Sequence, residues 1–153
     1  MKKCTQCGAT EFVSDVIDDT IHVGSTTFVV SGVPCERCVA CREYRVSLND
    51  MGRAELTVAA SLAQMGVRTG SAFKFMRKAL GLKAVQLSEL LGVQPETMSR
   101  WERETQPVES RSLALLGALV ADRVAGRDES TMERLKAIQE PRVPADPVHL
   151  RVA

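Results

Sequence analysis

The chain has 153 residues, which leaves room for one ordinary domain or two small ones, and a formal net charge of +1, which counts mildly against a large nonspecific grip on nucleic acid. A hydrophobic share of 44% supports a buried core, but only 4% is aromatic, so that core is expected to be built from Leu, Val, Ala and Met. No apolar run of about 18 residues is present to span a bilayer, and MKKCTQCG has two lysines without an apolar segment behind them, so a cytoplasmic protein is expected, with no membrane partner.

All five cysteines precede residue 42. Cys4-Thr-Gln-Cys7-Gly8 has the spacing at which two thiolates grip one metal through a tight turn. In VPCERCVACREY, Cys35 with Cys38 and Cys38 with Cys41 both offer the same spacing, so either pair closes a four-thiolate site. Zn²⁺ is the expected occupant, one ion in a structural role, because thiolate sulfur suits it and four thiolates leave no open coordination position. Disulfides are disfavoured in a reducing cytoplasm, and nothing nearby suggests the electron transfer of an iron–sulfur cluster. The spare cysteine admits a second reading, a redox- or metal-sensing regulator with Cys35 as the exchanging thiol. His22, alone in a strand pattern, reads as a surface or core residue.

Between the cysteine clusters, β-branched residues flank Gly24-Ser25, which predicts a hairpin. Residues 1–50 thus form a small β unit, too short to hold a core alone, whose missing folding energy is expected from the metal. Residues 51–69 read as a connecting helix and linker broken at Gly66 and Gly70. A helix follows over 71–80, with Ser71 as its N-cap and Phe73, Phe75, Met76 and Leu80 for burial.

The stretch LKAVQLSELLGVQPETMSRWERE predicts two short helices joined at Gly92. Leu87, Leu90 and Leu91 give the first helix one apolar stripe, Gly92 is suited to leave it at positive φ, and Val93 anchors the turn. Gln94 occupies the next N-cap and Pro95 the first helical position. On the second helix Met98 and Trp101 share the packing side, while Glu96, Thr97, Arg100 and Arg103 are offered outward. Such a helix suits the DNA major groove: Arg100 can bond two guanine acceptors, Thr97 can meet a thymine methyl, and Glu96 can accept from cytosine or repel wrong sequences. Gln94, Glu96, Thr97, Arg100 and Arg103 are the candidate DNA-binding residues. Their region is slightly basic (Lys74, Arg77, Lys78, Lys83, Arg100, Arg103, Arg111), whereas residues 1–50 are acidic, which predicts different partners for the two parts.

Downstream, SRSLALLGALVADRVAG is richer in Leu than one small core needs and predicts a homodimer surface. A further short helix is expected over 130–139, and an extended tail beyond Pro141 that includes His149. There is no Ser/His/Asp set, no phosphate-cradling Gly loop and no paired carboxylates beside cysteine or histidine, so an enzyme is not expected.

LGLKAVQLSELLGVQPETMSRWERE resembles the Xre (Cro-type) helix-turn-helix family over roughly residues 70 to 123. Ala84 stands where that family has a phosphate-touching Gln, and Glu104 replaces a common helix-ending Gly. Joined to the cysteine clusters, the chain is similar to the MqsA-type antitoxins, also described as YgiT-type zinc-finger and helix-turn-helix proteins, which have an N-terminal CxxC, a hairpin, and Val-Pro before a second CxxC. That resemblance implies Cys4, Cys7, Cys38 and Cys41 as the zinc ligands, Cys35 as a non-ligand, and Arg42 at a position often held by Gly. The implied fold is α+β: a small zinc-stabilised β-hairpin domain (1–50), the connecting segment (51–69), an all-α, lambda-repressor-like helix-turn-helix domain (70–126), and a short helix with tail (127–153). The implied function is a transcriptional regulator that binds double-stranded operator DNA, represses its own operon, and neutralises a small ribonuclease toxin through the zinc domain. A stand-alone regulator of the same build is the alternative.

Overall fold

β-Branched residues dominate the stretch between the cysteine clusters, and in the computed structural model, which describes residues 2–127 and 130–141 with positions 143, 148 and 151, that stretch is a long hairpin. Strand β1 (Phe12–Val23) pairs antiparallel with β2 (Thr26–Cys38), and β2 with the short β3 (Tyr44–Arg45), in the order β1-β2-β3. The turn is Gly24-Ser25, as expected, with Gly24 at φ +58°, where the lack of a Cβ removes the steric penalty. Between the pairs Ile17–Val33 and Asp19–Val30, Asp18 faces both Ser31 and Gly32, a bulge in β2 that accounts for the second glycine in the hairpin.

Among the described residues six helices follow: α1 (Leu48–Gln64), α2 (Gly70–Ala79), α3 (Ala84–Leu91), α4 (Pro95–Glu102), α5 (Ser110–Val124) and α6 (Ser130–Gln139). The expected α+β order, sheet first and helices after, is the one observed. None of these helices is long and apolar enough to cross a membrane.

Two expectations about the helices need correction. Residues 51–69 do not merely connect: α1 buries Ala54, Val58, Ala59 and Leu62 and packs against α5, α2 and β2. Small residues permit this approach, since even a Cβ on Gly117 of α5 would stand 3.5 Å from the Ala63 Cβ. Nor does Ser71 cap α2. Thr69 does, its hydroxyl accepting from the Ala72 N–H at 3.2 Å, because α2 starts at a buried Gly70, two residues earlier than a Ser71 cap allows.

The core sits among helices α1 to α5, around Phe73, Met76, Leu62, Leu87, Leu116 and Trp101. The hairpin tip belongs to it: Val23 is 6% exposed, and Ile21, Phe28 and Val30 pack alongside. Strand alternation sends the neighbouring Thr20, His22 and Thr27 to the outer face, where His22 Nδ1 lies 3.1 Å from Thr27 Oγ1. The helix expected over 130–139 is α6, held on α5 by the Thr131 N–H and hydroxyl, which donate to Asp122 Oδ2, and on α3 by the Gln139 amide, which donates to the Glu89 carbonyl. The extended tail expected beyond Pro141, with His149, lies outside the described residues apart from isolated positions.

Candidate metal centre and recognition helix

The cysteine loops at the open end of the hairpin are built alike. The Cys4 N–H donates to the Ala9 carbonyl (2.7 Å) and the Gly8 N–H to the Cys4 carbonyl (2.9 Å); the Cys38 N–H donates to Glu43 (2.7 Å) and the Arg42 N–H to Cys38 (3.0 Å). In each loop the residue after the second cysteine has positive φ, +78° at Gly8 and +66° at Arg42. Arg42 therefore keeps a glycine conformation with a side chain attached. Arg42→Gly is expected to raise stability by about 0.5–1 kcal/mol, read as a higher denaturation midpoint. A lower midpoint would mean that the Arg42 side chain is worth more than the strain.

These loops bring together Cys4, Cys7, Cys38 and Cys41, whose sulfurs all lie within 4.8 Å of one another. The Cys4–Cys41 and Cys7–Cys38 pairs are each separated by 3.6 Å. Tetrahedral zinc with bonds of about 2.3 Å requires sulfurs about 3.8 Å apart, so the cluster fits one such ion with small adjustments. Cys35 is left out for a reason that lies in the strand. β2 runs through to Cys38, so positions 35 and 38 point to opposite faces, whereas 38 to 41 form a turn. Cys35 is instead buried (7% exposed) in the sheet opposite Asp15, outside the cluster.

The thiols are electrostatically unequal. Backbone N–H groups of Cys7, then Gln6, lower Cys4 to about 7, and the N–H of Cys41 leads in lowering Cys38. At Cys41 the Glu43 N–H favours the thiolate, but desolvation and the neighbouring Cys7, Cys4 and Cys38 outweigh it and push the thiol up to about 12. Crowded thiols that resist ionising together are the chemistry a divalent cation relieves. Nearby, Arg37 donates to Asp15 (2.5 Å) and to the Arg42 carbonyl (3.0 Å), bracing the second loop.

The second candidate site is α4. Gly92 ends α3 in the left-handed conformation at φ +66°, Gln94 is the N-cap of α4 and Pro95 its first residue, as the sequence predicts. Met98 and Trp101 are buried, Trp101 edge-on to Phe73 with ring centroids 5.6 Å apart. Gln94, Glu96, Arg100 and Arg103 are exposed and Thr97 is half-buried, so the five candidates lie along one outward side. The Arg100 side chain has no hydrogen-bond or ion-pair partner among the described residues, while Arg103 Nε donates to the Ser99 carbonyl at 3.3 Å.

Arg77 departs from the basic surface foreseen for this region. Its side chain is 8% exposed and forms a two-bond pair with Glu102, Nε to Oε1 at 2.6 Å and a second guanidinium nitrogen to Oε2 at 3.1 Å, while also donating to the Leu82 carbonyl at 2.6 Å. It ties α2 to the end of α4. Sequence patterning did not reveal this clamp; the one hint is that Arg77 falls next to Met76 on the apolar side of α2. Glu104, in the left-handed conformation at φ +61°, adds a second tie by accepting the Ser71 N–H at 3.1 Å.

A sheet carrying four clustered cysteines, followed by a helical bundle, defines a small protein that joins a metal-binding unit to a helical one. Residues 1–123 match the family described as the antitoxin component of a bacterial toxin-antitoxin system, MqsA, and the chain belongs to that family. No curated protein matches the chain. The matched range ends within α5, so α6 lies beyond it.

Proposed function

We propose that this antitoxin-family protein is a sequence-specific regulator that represses its own operon, with α4 as the DNA-reading helix and zinc as the structural metal held by Cys4, Cys7, Cys38 and Cys41. The observation that carries the DNA reading is the division of α4 into a buried side anchored by Met98 and Trp101 and an outward side bearing Gln94, Glu96, Thr97, Arg100 and Arg103. Zinc is supported by the four-sulfur donor set and its spacing. Division of labour follows: residues 1–50 hold the metal and face a small ribonuclease toxin, a partner supported by the family, and residues 70–126 read operator DNA. The role is regulatory rather than enzymatic, and it is carried out in the cytoplasm, where the operator is.

A homodimer completes the reading, because half-sites about one DNA turn apart need a two-fold protein. Support comes from an open apolar groove of about 640 Å³ between α1 and α5, lined by Ala60, Ala63, Leu113, Gly117, Ala121 and Val124. Leu113 and Val124 belong to the surplus apolar residues of the α5 segment, and a second copy seated in the groove would cover them.

The test is binding to duplex DNA from upstream of the gene at fixed physiological salt. Arg100→Ala is expected to lose about 1–3 kcal/mol of affinity for that duplex while binding a scrambled one as the wild type does. Equal, weak binding of both duplexes by both proteins would remove α4 from the role assigned to it.

A further inference from the structure

We propose that the tip of the N-terminal hairpin positions the DNA-reading helix, so that the seat of Gly24 on the first turn of α2 sets how the end of α4 is held. This rests on the reading of α4 as the DNA-reading element. The contacts form an unbroken series. A Cβ on Gly24 would stand 2.7 Å from Ser71 Oγ and 3.4 Å from Ser71 Cβ, so the turn lies directly against this side chain. Ser71 Oγ donates to Thr69 Oγ1 (3.1 Å), the group that caps α2 through the Ala72 N–H. The Ser71 N–H is the donor to Glu104, the residue just past α4.

One residue earlier, Gly70 approaches α4 so closely that a Cβ there would stand 2.1 Å from the Trp101 carbonyl oxygen. The first turn of α2 therefore meets the hairpin tip at Ser71 and the end of α4 at Gly70 and Ser71. Val23, beside the tip, is 6% exposed within the helical core, so the tip cannot lift without uncovering it. Crowding at Gly24 falls on the Ser71 hydroxyl, the donor to the Thr69 cap, and reaches the first turn of α2 through that hydrogen bond. Arg100 and Arg103 ride on the helix so held, and an event in the sheet that disturbs the tip reaches them without a contact between sheet and DNA.

The experiment uses the full-length, metal-loaded protein and two readouts: affinity for the upstream duplex, and emission of Trp101, the one tryptophan of the chain. Gly24→Ala is expected to shift the emission and to weaken binding by about two- to thirtyfold. Gly32→Ala is the control, since it imposes a comparable positive-φ strain (φ +75°) in β2 with no atom within 4 Å of the new Cβ; it is expected to leave both readouts unchanged. Adding Ser71→Ala to Gly24→Ala removes the crowded hydroxyl and is expected to restore most of the affinity. The proposal falls if Gly24→Ala changes neither readout, if Gly32→Ala matches it, or if Ser71→Ala gives no rescue. Absence of selective binding already in the wild type overturns the DNA reading and this inference with it, whereas selective wild-type binding with an unchanged Gly24→Ala overturns the coupling alone.

Discussion

Cys38→Ser is expected to abolish stoichiometric zinc binding and to unravel the cysteine end of the sheet, while Cys35→Ser keeps one zinc per chain. A structural zinc site contributes roughly 10–16 kcal/mol of apparent binding free energy near neutral pH, comparable with the whole stability of a small protein. Little else holds that end. The Arg37–Asp15 and Arg45–Glu36 pairs are partly exposed, and the Arg45 guanidinium 3.8 Å above the Phe12 ring and the Arg37 guanidinium 5.6 Å from the Tyr44 ring centroid each add only about 0.5–1 kcal/mol. The tip is different, because Ile21, Val23, Phe28 and Val30 are embedded among the helices. Removal of the metal should therefore expose amides of residues 12–16 and 35–38 to hydrogen exchange while those around 21–28 stay protected. Uniform loss across the hairpin, or zinc retained by Cys38→Ser, would contradict this. Acid acts in the same direction: the metal needs thiolates, so affinity falls as pH falls.

That partial unravelling was not foreseeable from composition, and the reason separates what the sequence can specify from what it cannot. The Gly24-Ser25 turn, the Gly92 break, the Gln94-Pro95 start and the two faces of α4 each depend on a few adjacent residues, and each is where the pattern places it. Thr69 and Ser71, by contrast, offer the same hydroxyl chemistry two positions apart. The choice between them is made by the close approach of Gly70 to Trp101, a contact between distant segments. The role of α1 was hidden for the same reason: its Ala-rich pattern looks like a linker until α5 is laid against it.

The metal site was legible in kind and ambiguous in one member, since Cys35, Cys38 and Cys41 have equal spacing. Strand alternation decides it once β2 is known to continue through Cys38, a criterion that the hairpin pattern itself offered. Arg42 and Glu104 stand where the resembling families favour glycine, and both retain the left-handed backbone. At Glu104 the carboxylate acquires a partner, the Ser71 N–H, that glycine could not supply.

Arg77→Ala is expected to destabilise the protein by about 3–5 kcal/mol, because it leaves the Glu102 carboxylate, 11% exposed, without its guanidinium. For a chain of this length that corresponds to a melting temperature lower by about 6–20 °C. Replacing both partners, as in Arg77→Met with Glu102→Met, should recover most of the loss, since no stranded charge remains. Recovery stays incomplete because the half-buried Leu82 carbonyl has lost its donor at 2.6 Å. An effect of Arg77→Ala within about 0.5 kcal/mol would reclassify the residue as a surface charge. The same pair of variants separates structure from DNA contact. If Arg77 only clamps α2 to α4, the folded fraction of either variant binds operator with the wild-type salt dependence, because no phosphate contact has been removed; a shallower salt slope would add Arg77 to the DNA-contacting residues.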